Sequence, residues 1–231
     1  MVRLRDVRFR WRTRDPLVLD IRALDVGDGE RVFIEGPSGS GKTSLLNLLG
    51  GVMVPEAGSI AIQDTEITAL PGARRDAFRA DRVGFIFQMF NLVPYLSLID
   101  NVVLPCLFSS GRRARAVGRG GTLEGEARRI LGHLELDADE LATRSVTRLS
   151  IGQQQRVAAA RALIGAPPLV IADEPTSSLD ANVRRRFLEL LFHEVAEAGS
   201  TLLFVSHDTR LEEGFDRSIA LMDINGAGDL S

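Results

Sequence analysis

The sequence predicts an α/β fold with a mainly parallel sheet core, and three observations carry that reading. Residues 36–46, GPSGSGKTSLL, sit between a short apolar strand pattern, RVFIEG, and the opening of an apolar helix, TSLLNLLGG. Strand and helix patterns alternate again toward the C-terminus through PLVIAD, ANVRRRFLELLFHEVAEAG, TLLFVS and RSIALMD. Between these regions, residues 89–150 carry helical patterns such as LEGEARRILGHLEL and no convincing strand, which reads as a helical insertion.

In chain order, VRLRDVRF, LVLDIRALDV, RVFIEG and GSIAIQD read as strands separated by Gly, Asp and Pro punctuation. A polar helix is expected over 74–82, RRDAFRADR, followed by the strand VGFIFQ. The stretch GRRARAVGRGG, residues 111–121, is basic and glycine-containing; it reads as a solvated, partly mobile loop in preference to an anionic-lipid contact. In the helix after PLVIAD, the side chains Val183, Phe187, Leu190, Leu191 and Val195 share one face, and Asp180 is placed to cap its start. No repeat recurs at 20 to 50 residues. At 231 residues, the chain is bounded to one large domain or a core with an inserted subdomain.

A formal net charge of −3 offers no electrostatic reason to expect nucleic acid as a partner. The single cysteine, Cys106, stands in VVLPCLF and is expected to be a small buried hydrophobe rather than a reactive thiol. No apolar run approaches the ~20 residues of a membrane-spanning helix, and MVRLRDVRFRW lacks the apolar region of a signal peptide. The expectation is a soluble, cytoplasmic protein with no membrane span.

Of the 28 basic residues, 27 are arginine, and the only lysine is Lys42, inside the glycine-rich stretch. Arginine is a broad planar fork and lysine a compact point charge on a flexible stem, so a narrow phosphate-lined pocket selects the second. Gly36, Pro37, Ser38, Gly39, Ser40, Gly41, Lys42 and Thr43 match G-x-x-x-x-G-K-[ST]. In that pattern the glycines let successive N–H groups face the phosphates, the lysine reaches the β/γ-phosphates and the Thr43 hydroxyl is a Mg²⁺ ligand. A Gly/Ser-rich turn alone would explain neither the flanking strand and helix nor the lysine.

A phosphate loop says only that a nucleotide binds; the discrimination lies downstream. LVIADE, residues 169–174, is an apolar strand ending in two carboxylates: Asp173 is suited to hold Mg²⁺ through water and Glu174 to act as general base. LSIGQQQR, residues 149–156, puts Ser150 and Gly152 at the start of an alanine-rich helix, which reads either as an anion site or as an ordinary helix cap.

Taken in order, these residues resemble the ATP-binding cassette (ABC) ATPases over essentially the whole chain. The motifs are the phosphate loop Gly36 to Thr43, Gln88 in FIFQ, the signature Leu149 to Gln153, Leu169 to Asp173 with Glu174, SSLD at Ser177 to Asp180, and His207 in VSHD. The flank QMFNLVPYLSLIDNVVLP is similar to the subgroup driving lipoprotein-releasing and macrolide-exporting permeases. The resemblance implies a P-loop NTPase with a mainly parallel sheet core, an N-terminal antiparallel β subdomain and an inserted helical subdomain. As a single domain over 1–231, this divides into a nucleotide-binding core, 1–88 and 160–231, and a helical subdomain, 89–159.

It further implies a head-to-tail homodimer sandwiching two ATP molecules with Mg²⁺. Trp11, expected on a strand, would stack on adenine, Gly36 to Thr43 and Ser44 would bind nucleotide on the same copy, and Ser150, Gly152 and Gln153 would face it from the other, with Asp180 also binding nucleotide. Thr43, Gln88 and Asp173 would hold the metal, while Glu174, His207 and Gln88 would be catalytic. Separate integral-membrane permease subunits would dock near residues 89–105, placing the chain on the inner face of the cell membrane. The alternative is a soluble, non-transport ABC ATPase, a class that usually has two cassettes per chain or a long coiled coil. A phosphate-loop kinase leaves LSIGQQQR and SSLD unexplained. One residue departs from the usual LSGGQ signature: Ile151 stands where its first glycine would be.

Because Lys42 is read as required for its shape as well as its charge, Lys42→Arg should weaken ATP binding more than tenfold, about 1.4 kcal/mol. Titration calorimetry returning an affinity within twofold of wild type would overturn that reading.

Overall fold

The computed structural model describes residues 1–141 and 145–228. Alternating apolar and polar residues start the chain as strands β1 (Val2–Phe9) and β2 (Leu19–Val26), followed by β3 (Arg31–Glu35) and α1 (Lys42–Leu49). Next come β4 (Ala57–Ile62), β5 (Thr65–Glu66), α2 (Gly72–Arg82) and β6 (Val83–Ile86). The stretch read as helical from residue 89 to 150 holds α3 (Leu98–Val103), α4 (Ser110–Gly120), α5 (Leu123–His133) and α6 (Ala138–Leu141), and α7 (Ile151–Leu163) follows it. Beyond it lie β7 (Leu169–Asp173), α8 (Ala181–Ala198), β8 (Thr201–Ser206), β9 (Arg217–Ala220) and α9 (Leu221–Ile224).

These elements form two compact units, one comprising Met1–Arg79 with the chain from Thr201 onward, the other Ala80–Ser200. In the first unit an antiparallel sheet runs β2-β1-β4-β5, with Val2 opposite both Val26 and Ile62. Its β1–β4 register shifts between Arg5 and Arg8, where Asp6 has φ 50° and a Cβ on Gly58 would stand 2.3 Å from the Asp6 carbonyl. Only glycine fits that close approach. The same unit contains a parallel set with β3 between β8 and β9. Every residue of β8 is buried, as befits a parallel strand covered on both faces. Phe33, Phe204 and Phe215 fill the space beside these strands, with ring centroids 5.2–6.1 Å apart.

In the second unit β6 and β7 pair in parallel, and α7 lies directly on β6. A Cβ on Gly84 would come within 2.2 Å of the Ala162 carbonyl, so this glycine sets how closely helix and strand approach. The helical pattern read around α8 matches the burial of Phe187, Leu190, Leu191 and Val195, and Asp180 caps the helix as expected. Helices α5 and α8 are joined by a charged cluster. The His133 Nδ1 lies 2.5 Å from the Glu194 carboxylate, and Arg129 reaches Glu126 with two bonds and Glu197 with one.

Three expectations need correction. Residues 111–121 are not a solvated loop: most of them form α4, capped by the Ser109 hydroxyl, which accepts from the Arg112 N–H. From this helix Arg112 is drawn inward. Its guanidinium is 2% exposed and donates to five main-chain carbonyls, those of Ala80, Val83, Arg161, Ala162 and Ile164. Burial pushes the Arg112 pKa down to about 10, so it stays charged at neutral pH. RSIALMD is a strand only through Ala220, after which α9 begins. Trp11 is not on a strand; it follows β1, is 57% exposed and meets Phe9 edge-on. Cys106 is buried as expected, and that burial raises its thiol pKa.

Because Arg112 satisfies carbonyls that water does not reach, Arg112→Leu should cost about 3 kcal/mol or more, read as a lowered urea midpoint. An unchanged midpoint would show that those carbonyls find other partners. A deletion within 111–121, harmless if the segment were a loop, should unfold the protein for the same reason.

Candidate phosphate and nucleotide site

The first unit builds the phosphate loop between β3 and α1. Gly39 and Gly41 have φ of +83° and +99°, a backbone that side chains rarely adopt, and Gly41 is the cap residue of α1. A Cβ on Gly41 would meet a Leu19 methyl at 2.8 Å and the Val18 carbonyl at 3.2 Å. Lys42 is 6% exposed and folds back across the loop, its Nζ donating to the Gly36 and Pro37 carbonyls at 2.6 and 2.9 Å. Among the described residues the buried Ser40 hydroxyl has no hydrogen-bond partner. An orphaned hydroxyl, a curled lysine and a helix N-terminus with inherently unsatisfied N–H groups together fit an anion. Thr43 is exposed at the helix start and Ser44 is buried.

Parallel pairing then places His207. Glu35 is the register partner of Ser206, and each chain continues from there into Gly36 and His207. The phosphate loop and this exposed histidine therefore leave the C-terminal ends of neighbouring parallel strands, where α/β sheets bind ligands.

Register does the same in the second unit. Ile86 of β6 pairs with Ala172 of β7, so Gln88 and Asp173 follow from the same edge. Gln88 is exposed in a turn, and Asp173 is half-buried. Glu174 has φ 43° immediately before Pro175. A residue before proline favours extended backbone, so this carboxylate is held in a strained left-handed conformation of the kind that gathers at functional sites.

The signature forms a complete helix cap. The Ser150 hydroxyl accepts from the Gln153 N–H at 3.2 Å, and the Gln153 side-chain oxygen accepts from the Ser150 N–H at 2.9 Å. Ile151 points outward, 51% exposed. Gly152 has room for a side chain, since a Cβ there would meet only Val183, at 3.4 Å. Asp180 accepts from the N–H groups of Asn182 and Val183 at the start of α8.

Two supporting residues escaped the sequence reading. Asn225 braces the phosphate loop, its Nδ2 donating to the Val18 and Ser40 carbonyls at 3.0 and 3.5 Å while its Oδ1 accepts from the Asp20 N–H. Arg161 donates to the main chain just after Gln88. Both contacts span long stretches of sequence, and no local pattern announces them.

Since Gly41 carries both a left-handed φ and a tight approach to Val18, Gly41→Ala should destabilise the protein by about 1–2 kcal/mol. Thermal melting at the wild-type temperature would contradict the strain argument.

Residues 19–177 match a family model described as ABC transporter. The chain is 39% identical to the lipoprotein-releasing system ATP-binding protein LolD of Syntrophotalea carbinolica, over 91% of this chain and 89% of LolD. It is 35% identical to the uncharacterized ABC transporter ATP-binding protein MJ0796 of Methanocaldococcus jannaschii, over 96% of this chain and 94% of that protein. A solved dimeric structure of MJ0796 in a post-hydrolysis state, bound to ADP and Pi, superposes with a TM-score of 0.80 over 95% of this chain and 94% of the other. With the family model covering more than half of its length, this chain belongs to the ATP-binding proteins of the ABC transporter family.

Proposed function

We propose that this chain binds and hydrolyses Mg-ATP as one half of a head-to-tail pair, driving a separate membrane permease from the cytoplasmic face. The observation that carries the reading is the strained Glu174, at the end of the strand that bears Asp173 and at the same sheet edge as Gln88. Water attack on a γ-phosphate needs a positioned proton acceptor, and a carboxylate carried on a constrained backbone suits that role.

In this reading Lys42 and the loop from Gly36 to Thr43 hold the β- and γ-phosphates, and the exposed ring of Trp11 stacks on adenine. Thr43, Asp173 and Gln88 would hold Mg²⁺, which when bound neutralises phosphate charge. Glu174 takes the proton of the attacking water, and His207 orients both. Gly152 supports the pairing: its own chain leaves space for a Cβ, so the glycine answers to something that docks from outside, such as a phosphate held by a second copy. The MJ0796 dimer with ADP and Pi supports the same arrangement. Among the described residues no helix is long and apolar enough to cross a membrane. The likeness to LolD favours a permease of the lipoprotein-releasing type.

Glu174→Gln keeps the shape of the side chain but removes its proton affinity, so hydrolysis should fall by ~10² to 10⁴ while ATP binding persists. The variant should collect as an ATP-bound dimer by light scattering in saturating Mg-ATP. A folded variant that hydrolyses at the wild-type rate would sink the general-base role.

A further inference from the structure

Near its C-terminal end α7 carries a buried arginine for which neither the phosphate loop nor the proposed chemistry accounts. Arg161 is 8% exposed, and among the described residues its partners are main-chain carbonyls, with no carboxylate beside it. Its Nη1 donates to the Asn91 carbonyl at 2.6 Å and its Nη2 to the Phe90 carbonyl. Burial lowers its pKa from the ordinary value. Charge-assisted bonds of this kind are strong, and a planar fork is the shape that spans two successive carbonyls.

The gripped residues are unusual. Phe90 and Asn91 have φ of 57° and 50°, two consecutive non-glycine residues in the left-handed region. They form the exit of a turn closed by the Phe90 N–H donating to the Phe87 carbonyl at 3.0 Å, and Gln88 and Met89 are its central residues. Without a strong hold on both carbonyls, that exit would relax toward commoner backbone and the turn presenting Gln88 would re-aim. At its other end, α7 begins at the Ser150 cap, about 15 Å away along a rigid helix.

We propose that Arg161 is a positioning residue that locks the exit of the Gln88 turn to α7, so that Gln88 and the Ser150–Gly152 cap move as one body. This rests on the reading of Gln88 as a residue of the hydrolytic site. The two ends of the lever then serve different nucleotides: Gln88 the one on its own phosphate loop, the Ser150 cap the one held by the second copy. A displacement imposed at the Gln88 turn is carried to the opposite site without any intervening rearrangement.

The test is a double-mutant cycle on the full-length chain, with steady-state ATPase kinetics of Arg161→Gln, Gln88→Ala and the pair. Arg161→Gln should lower kcat at least tenfold with KM for ATP changed less than threefold. Arg161→Lys, which keeps the charge but loses the fork, should recover part of that loss. The double variant should be no more than twofold slower than Gln88→Ala alone, because Arg161 acts through Gln88. Losses that multiply would assign Arg161 to general stability and overturn the proposal. Should thermal melting show Arg161→Gln unfolded, the cycle is run with Arg161→Lys, for which the same non-additivity is expected. A wild-type kcat in a folded Arg161 variant overturns the positioning role and leaves Gln88 in place. A wild-type kcat in Gln88→Ala overturns the reading of Gln88 itself, and the proposal with it.

Discussion

The second unit depends on how main-chain carbonyls at the end of α7 are satisfied. A helix leaves its last carbonyls without intrahelical donors, and here that end is pressed against β6 at Gly84, where water is excluded. Arg112 arrives from α4 and supplies the missing donors to Arg161, Ala162 and Ile164 while also binding Val83 at the start of β6. A positive charge at a helix C-terminus is also favoured by the helix dipole, which offsets part of the cost of burying it. That clamp holds the C-terminal end of α7 against the start of β6, the strand from which the Gln88 turn leaves.

Among the described residues, contacts to main-chain carbonyls recur at the buried cations. Arg112 and Arg161 are both surrounded by carbonyls, and Lys42 turns to the carbonyls of Gly36 and Pro37. For the two arginines this is a structural asset, since a fork spreads its donors over several peptide groups at once. By contrast the Arg129 guanidinium, between α5 and α8, is paired with carboxylates, notably the buried Glu126. Those pairs raise its pKa, led by the hydrogen bonds to Glu126.

Parallel strand register is the second organising constraint. It places Gly36 and His207 side by side in one unit, and in the other it brings Gln88 and Asp173 out beyond the paired Ile86 and Ala172, although long segments separate each pair. Hydrogen-bonded register thus collects the chemistry at strand ends, while helix caps at Ser150 and Asp180 orient the remaining candidates. Family membership and the retained motifs agree with this layout, and the departure at Ile151 is accommodated because its side chain faces outward.

Much of this was legible in the sequence. Strands β1 to β4, the loop at Gly36 to Thr43, the helix face of α8 and the strand ending at Asp173 are local patterns of periodicity, glycine and capping residues, which the chain expresses within a few residues of themselves. Tertiary structure alone decided the fate of residues 111–121: composition reads as a solvated basic loop, yet the stretch is helical and one arginine among several is drawn inward to carbonyls some fifty residues away. It also decided that Trp11 stands exposed beyond β1, that Asn225 braces the phosphate loop and that Arg161 holds the Gln88 turn. The physical reason is common to all of them: periodicity and turn chemistry are encoded between near neighbours, whereas the partner of a long polar side chain is chosen by which distant main-chain groups folding leaves without water.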